Sequence, residues 1–394
     1  MTRQRSADLF PTDQPLPASQ LIGRREDVRE IAATLTGGGS LVIAGPRRTG
    51  KTSVCDAALG LCRRKGAYTV SVDLFRIANA AELAEVLVAQ TIANRSPLRR
   101  ILHQARRAGR LVADTAGVAA VVKSKTQLGE ELEIAFQPGL AARDPKRYLD
   151  YALTLPGRIA EADGKQVVVF FDEFQEIASA NAPYGDADQL TKRMRAIFQR
   201  QSGVSYLFAG SIEHLMRDLF IPRGRALSQF GSFHDLRPIE PEQWAAGLGE
   251  RFAADECTIE EAALTRLVAL GEGHPRATML IAQKTHLTAV LLDTHEVDLA
   301  LAEQGYLTAL QGERINHEQT VERIRQIHKL GLEIARRIAR DEPTYPGLPR
   351  GAVRRALEHL ESTAIIETSG RGRWHITDPL LRRYLHDLQP LQTP

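Results

Sequence analysis

One eight-residue segment has the spacing of a phosphate-binding loop. In the pattern G-x-x-x-x-G-K-[ST], the glycines let backbone N–H groups curl around a β-phosphate, and the positive end of the following helix points at that anion. The lysine reaches the β- and γ-phosphates, where it is a catalytic candidate, and the hydroxyl binds Mg²⁺. The residues predicted to bind nucleotide here are Gly45, Pro46, Arg47, Arg48, Thr49, Gly50, Lys51 and Thr52, together with the next residue, Ser53.

Two acidic residues, Asp172 and Glu173, follow an uninterrupted apolar run at residues 167–171. An aspartate at the end of such a strand is placed to hold the magnesium ion together with Thr52, and the glutamate is placed to orient and deprotonate an attacking water. The pair therefore predicts hydrolysis of the nucleotide and not only binding. Gln175, on the next turn, is either a solvated residue at a helix start or a further site residue.

A third polar position, Ser211, comes shortly after an apolar run at residues 206–209. From a neighbouring strand its hydroxyl would approach the γ-phosphate. The same serine would also serve as the N-cap of a helix at residues 212–218. Both interpretations stay open.

These residues must be positioned by a sheet, and the pattern along the chain predicts one. Short apolar runs alternate with amphipathic segments, which favours an α/β fold with a mainly parallel sheet. The run at 167–171 lacks polar residues, as expected for a strand covered on both faces. The strands are predicted at residues 41–44, 68–72, 167–171, 206–209 and 233–236.

The chain divides into four predicted parts. Residues 1–20 contain three prolines among polar residues and are expected to be a flexible N-terminal tail. Residues 21–240 form the core, with an insertion at about 91–140, and residues 241–312, where strand signals nearly vanish, form a helical lid. Residues 313–390 have a winged-helix-like outline of helix, turn, helix and hairpin.

Composition places broad limits on function. The 394 residues carry a formal net charge of +3, which is too small to identify a nucleic-acid partner. Three scattered cysteines, Cys55, Cys62 and Cys257, do not suggest a disulfide framework and are interpreted as buried apolar residues. No apolar stretch approaches the length of a membrane span, so a cytoplasmic protein with no membrane partner is expected.

The sequence resembles the AAA+ and STAND-like superfamily of P-loop ATPases, in particular the archaeal-type group related to the origin-recognition and replication-initiator ATPases. The resemblance covers about residues 20–388 and implies a P-loop NTPase (AAA+/ASCE) core, a helical lid subdomain and a C-terminal winged-helix domain. It depends on the phosphate loop with its Arg-Arg pair, and on residues 22–26, 172–175, 210–211, 273–276 and 376–384.

Further site residues follow only from this resemblance. Ile22, Gly23 and Arg24 match a segment that lies beside the adenine in the family. Pro275 and Arg276 match the lid motif, in which an arginine contacts the γ-phosphate in some relatives; the alternative is a solvated lid arginine.

The family often completes its site with an arginine from the next subunit of a homo-oligomer. Arg225 is the better candidate for such a catalytic finger, and Arg223 is the lesser one, although an ordinary surface arginine would explain either.

The C-terminal segment contains basic residues that would suit double-stranded DNA. They are Arg350, Arg354 and Arg355 on the second helix, and Arg371 and Arg373 at the hairpin. Winged helices also contact proteins, so a protein partner is the alternative. An arginine-rich stretch at residues 95–110 is either a solvated helix or a second binding surface.

The sequence thus predicts a slow, magnesium-dependent ATPase that binds ATP and ADP. In this hypothesis, the nucleotide state controls the binding of a partner, with DNA as a candidate. The alternative is an ATP-bound signalling or scaffold protein that hydrolyses little and whose winged helix contacts another protein.

Overall fold

The computed structural model describes residues 5–93, 144–178, 185–368 and 373–388. Five strands are present in the core: β1 Leu41–Ala44, β2 Tyr68–Asp73, β3 Val167–Asp172, β4 Val204–Gly210 and β5 Ser232–Phe233. They form one parallel sheet in the order β2-β3-β4-β1-β5. The predicted α/β class and parallel sheet are therefore confirmed, with a shorter final strand than expected.

Side chains on the central strands alternate between two buried faces. In β3, Val167, Val169 and Phe171 belong to one apolar cluster, whereas Val168 and Phe170 belong to the cluster on the opposite face. Because successive side chains on a strand point to opposite faces, a strand that is apolar at every position must be covered on both sides. This explains why all of β3 is buried.

Helices of the core cover the two faces of the sheet. These helices are α2 Arg25–Thr36, α3 Lys51–Arg64, α4 Ala80–Ala93, α5 Pro145–Asp163, α6 Ala187–Phe198 and α7 Glu213–Phe220. Helix α2 contacts helix α3 over one face, and helix α4 contacts helix α5 over the other. Apart from the end of α4, the expected insertion and its arginine-rich stretch lie outside the described residues.

A helical lid follows the core. It contains α8 Pro241–Ala253, α9 Glu261–Gly271, α10 Pro275–Leu291, the first part of α11 Leu299–Ile327, and a two-stranded pair of β6 Thr258–Ile259 with β7 Glu296–Val297. The lid has an apolar cluster of its own. The boundary expected at residue 312 falls inside the 29-residue helix α11, so lid and C-terminal part share one continuous helix.

The C-terminal part is built from two helices, a hairpin and a last helix. These elements are α12 Gly331–Ala339, α13 Arg350–Ser362, the antiparallel strands β8 Ile366–Thr368 and β9 Trp374–Ile376, and α14 Pro379–Asp387. They surround a separate apolar cluster, to which Val321 and Ile324 of α11 contribute. The outline agrees with the expected order of elements; its assignment as a winged helix stays a prediction.

The N-terminal residues differ from the expected flexible tail. Residues 6–9 form a short helix, α1 Ser6–Leu9, and Phe10 is completely buried in the apolar cluster of the lid. The physical reason is that Leu9 and Phe10 supply an apolar pair whose burial stabilises the docked form by about 1.5–3 kcal/mol for each side chain. The prolines around them limit helix length but do not prevent docking.

Helices α10 and α11 cross at a point where a side chain would not fit. A Cβ atom on Gly305 would lie 2.1 Å from Oγ1 and 2.5 Å from Cα of Thr285. In α8, by contrast, a Cβ atom on Gly249 would meet only a side-chain carbon of Leu264, 4.0 Å away. The two glycines therefore differ in packing, although both lie within helices.

We expect Gly305→Ala to destabilise the lid by about 1–3 kcal/mol, because the added methyl group forces the helices apart. Gly249→Ala is the matched control and should stabilise its helix by about 0.5–1 kcal/mol. Chemical denaturation followed by circular dichroism measures both changes. Equal effects of the two substitutions would contradict the close crossing.

Candidate nucleotide-binding site

The phosphate loop connects the end of β1 to the start of α3. Gly50 has a φ of 87°, a left-handed conformation that glycine adopts without steric cost, and α3 begins at the next residue. The first N–H groups of a helix have no partner within the helix, so they are available to an anion at this point. The phosphate-binding motif therefore lies between a strand and a helix, as expected.

Lys51 is almost completely buried at the first position of α3. Its Nζ donates hydrogen bonds to the carbonyl oxygens of Gly45, at 2.8 Å, and Pro46. Burial lowers the pKa of Lys51 to about 8, while the negative charges of Glu173 and Asp172 act in the opposite direction. A negatively charged phosphate next to the ammonium group would favour its charged form for the same reason.

The two predicted metal ligands contact each other. Thr52 Oγ1 donates to Asp172 Oδ2 at 2.7 Å, although β4 lies between the strands that lead to these residues. Burial raises the pKa of Asp172 to about 6; the hydrogen bond from Thr52 lowers it and the charge of Glu173 raises it further. A hydroxyl and a carboxylate side by side provide the hard oxygen ligands that Mg²⁺ prefers.

Glu173 is held in a hydrogen-bonded cluster at the ends of β3 and β4. Its Oε2 accepts a bond from Ser211 Oγ at 2.6 Å and one from Gln175 Nε2 at 2.6 Å. Glu173 also has a φ of 49°, which is unusual for a residue with a side chain. The structure therefore brings Ser211 to the expected catalytic glutamate.

Gln175 is the central member of this cluster and is completely buried. Its Oε1 accepts from the backbone N–H of Ser211 at 3.1 Å, and its Nε2 donates to Ser211 Oγ at 3.3 Å as well as to Glu173. The carboxamide of Gln175 fits because the residue before Ser211 is a glycine. A Cβ atom on Gly210 would lie 2.6 Å from Gln175 Oε1. Because Gln175 is completely buried, it is not a solvated residue at a helix start.

A cavity of about 430 Å³ lies beside this cluster, a volume typical of small-molecule sites. The predicted residues among its walls are Ile22, Arg24, Arg47, Arg48, Thr49, Gly50, Lys51, Thr52, Ser53, Glu173, Pro275 and Arg276. Phosphate loop, glutamate and lid motif therefore face one space.

The segment before α2 is fixed by close contacts at the edge of this cavity. Gly23 has a φ of 65°, and a Cβ atom there would lie 2.5 Å from Ile239 Cγ2. Arg24 is 5% exposed and donates to the carbonyl oxygen of Arg237 at 2.7 Å and to Asp27 at 3.1 Å. The guanidinium group of Arg24 thus holds the segment against the chain that leads into the lid.

Arg276 is not a solvated lid arginine. It forms a two-pronged ion pair with Glu313 of α11, with N–O distances of 2.9 and 3.2 Å, and both side chains are about one-tenth exposed. His274, two residues earlier, is buried; burial lowers the pKa of His274, while the nearby backbone of Arg47 in the phosphate loop acts in the opposite direction. The lid motif therefore contacts the phosphate loop on one side and α11 on the other.

Other predicted residues lie away from this cavity. Arg225 lines a separate cavity of about 130 Å³ together with Asp188 and Asp218. Ser211 and Pro46 line a small second cavity with residues of the C-terminal hairpin, including Ile366 and Thr377. The arginines at 350, 354, 355 and 373 are exposed, and Arg371 lies outside the described residues.

Sequence reasoning missed one wall of the nucleotide cavity. Residues 11–16 of the N-terminal segment line it, together with Ile239, Trp244 and Met279. The available signal was the apolar pair Leu9–Phe10 and the lone Leu16 among prolines and polar residues, a pattern too short for periodicity to assign.

None of the helices within the described residues is long and apolar enough to cross a membrane.

Comparison with known proteins agrees with this geometry. Residues 20–207 match the family described as AAA ATPase domain. No curated protein sequence matches the chain.

Among solved structures, the Walker-type ATPase PABY2304 of Pyrococcus abyssi is similar, with a TM-score of 0.68 and 16% identity over 96% of this chain and 99% of that one. The ORC2 protein of Aeropyrum pernix, solved as ADPNP–ADP complexes, is also similar, with a TM-score of 0.59 and 15% identity over 98% of this chain and 96% of that one. At these identities the likeness shows the fold alone. Residues 20–207 thus resemble the AAA ATPase domain family, within a fold that nearly the whole chain shares with both solved structures.

Proposed function

We propose that this chain binds ATP with Mg²⁺, hydrolyses it slowly, and uses the nucleotide state to change how it binds a partner. The observation that carries the proposal is the position of Glu173. This residue lines the same cavity as the phosphate loop and directly follows Asp172, which is hydrogen-bonded to Thr52. A solved structure of the same fold, the ORC2 protein, was obtained as ADPNP–ADP complexes, which supports an adenine nucleotide as the ligand.

Each residue has a distinct role in this proposal. The backbone N–H groups before α3 and the ammonium group of Lys51 bind the phosphates. Glu173 accepts the proton of the attacking water, and Ser211 with Gln175 keeps its carboxylate in place through the two 2.6 Å bonds to Oε2. Thr52 and Asp172 would hold Mg²⁺, which supplies charge neutralisation at the β- and γ-phosphates.

The lid gives the nucleotide state a route to the C-terminal part. Arg276 lines the cavity and is paired with Glu313, which lies on the helix that continues into the C-terminal apolar cluster. A γ-phosphate within reach of Arg276 would compete with Glu313 for the guanidinium group. A ligand shifts a conformational equilibrium through such differential contacts.

We expect Glu173→Gln to reduce hydrolysis by about 10²–10⁴-fold, because the amide cannot accept the proton. Nucleotide affinity should stay within about threefold, since the phosphate-binding groups are unchanged. Steady-state phosphate release and equilibrium binding of a fluorescent ATP analogue, both with Mg²⁺, measure the two effects. If the wild type and Glu173→Gln both bind ATP but neither releases phosphate, the hydrolytic function is refuted. The alternative of an ATP-bound scaffold protein then replaces it.

Gln175 offers a test of positioning. Gln175→Glu keeps the acceptor for the Ser211 N–H but replaces the donor to Glu173 by an oxygen, so we expect kcat to fall by at least about tenfold with KM nearly unchanged. The matched control is Gln166→Glu, because Gln166 Nε2 donates to Ser205 Oγ at 3.0 Å near the start of the same strands, away from the cavity. A raised KM at unchanged kcat, or equal losses in both variants, would contradict this role.

One surface of the C-terminal part favours double-stranded DNA as the partner. Burial and the neighbouring groups His359, Arg355 and Lys329 lower the pKa of His328, and the His328 and His359 rings lie 6.3 Å apart. These four residues form a patch where α11 ends and α13 passes, and its cations are Arg355 and Lys329. Arg354, in contrast, is neutralised by Glu358 at 2.8 Å.

Replacing two cations of this patch, in Arg355→Ala/Lys329→Ala, should weaken DNA binding and lower the slope of log K against log salt by about 2, because each phosphate contact contributes about 0.9. The charge-matched control is Arg314→Ala/Arg325→Ala on α11, whose arginines are paired with Glu318 and Glu322. Fluorescence anisotropy with a labelled duplex over a salt series measures the slopes. Salt-independent binding, or no binding by the wild type, would instead favour a protein partner.

A further inference from the structure

The N-terminal segment is anchored to the lid by its first residues. Ser6 Oγ lies 2.8 Å from Nδ1 of His286, a completely buried residue whose Nε2 lies 3.0 Å from Asp255. The Phe10 ring lies 4.9 Å from that of Phe252 and 5.8 Å from that of His286. This anchor therefore combines an apolar side chain with a buried polar network.

One lid arginine holds the segment at two places. Arg251 of α8 donates to the carbonyl oxygen of Leu9 through Nη1 and to that of Gln20 through Nη2, the latter at 2.7 Å. From α10, Gln283 donates to the carbonyl oxygen of Phe10 at 2.8 Å. The stretch between residues 10 and 20 is therefore fastened to the lid at both ends.

The middle of the segment contacts the core instead. The backbone N–H of Leu16 donates to Ser53 Oγ at 2.9 Å, and Ser53 is the third residue of α3, directly after Thr52. Opening the lid away from the core must consequently break this bond or pull the segment out of place. The phosphate loop and the lid are thus connected through residues that belong to neither.

The residues between the anchors face the nucleotide cavity. Residues 11–16 form one wall, and the apolar side chains of Ile22, Ile239 and Met279 line the same space near Trp244. An apolar cleft with a few polar groups is the environment that a flat heteroaromatic base requires. Phosphates bind at the loop before α3, so this wall is left for the base and ribose.

We propose that residues 11–16 are part of the nucleotide-binding site and act as a strap that encloses the base end of a bound adenine nucleotide. Because the strap joins lid to core, the nucleotide is released only after the strap detaches, and its release is slow for that reason. The inference rests on the proposed function but concerns the rate of exchange and not the chemical step.

The test measures dissociation of mant-ADP, a fluorescent ADP analogue, by stopped flow. Arg251→Ala removes two anchors of the strap, and we expect the dissociation rate constant to rise at least tenfold. Arg266→Ala is the matched control, because this lid arginine is paired with Glu303 at the surface and should leave the rate within twofold of wild type. A chain lacking residues 1–16 should release mant-ADP at least as fast as Arg251→Ala.

Hydrogen exchange gives a second measurement that needs no substitution. ADP should slow exchange of the amides at residues 12, 13, 14 and 16 in the wild type, since a closed strap excludes water. Unchanged release in Arg251→Ala together with unchanged protection would overturn the strap. A wild-type chain that binds mant-ADP but does not hydrolyse ATP refutes the hydrolytic function alone, whereas one that binds no nucleotide overturns both proposals.

Discussion

The site depends on the hydrogen bond between Thr52 and Asp172. In the sheet order, β4 separates the strand that leads to the phosphate loop from the strand that carries the two acids. The 2.7 Å bond joins these elements across the intervening strand end and fixes the distance between the phosphate loop and Glu173. It also offsets part of the cost of burying a carboxylate, which would otherwise be expelled or protonated.

Gln175 links the ends of β3 and β4 in the same way. Its carboxamide satisfies a backbone N–H of Ser211 and a carboxylate oxygen of Glu173 at the same time. A buried amide with all its bonds in place is rigid, because every alternative rotamer leaves a polar group without a partner. The carboxyl ends of three adjacent strands are therefore held in one arrangement by side chains, and the lid and N-terminal segment are added to that fixed edge.

Local signals in the sequence were sufficient for the core. The phosphate loop, the apolar strand before Asp172 and the alternation of strands with helices all depend on residues close together in the chain, and the structure contains them at the expected positions. The docking of Phe10, by contrast, depends on Phe252 and His286, more than 240 residues later. The pair of Arg276 with Glu313 depends on the course of α11, whose polar sequence gives no sign that it passes the expected boundary at residue 312.

The continuity of α11 has a mechanical consequence. A helix of 29 residues is about 43 Å long. If it turns as a rigid lever about its lid end, a rotation of about 10° carries its far end through about 7 Å at this rise per residue. Glu313 lies about 21 Å along the helix from Leu299, so the same rotation moves it by about 4 Å, and a displacement at Glu313 is roughly doubled at the far end of α11.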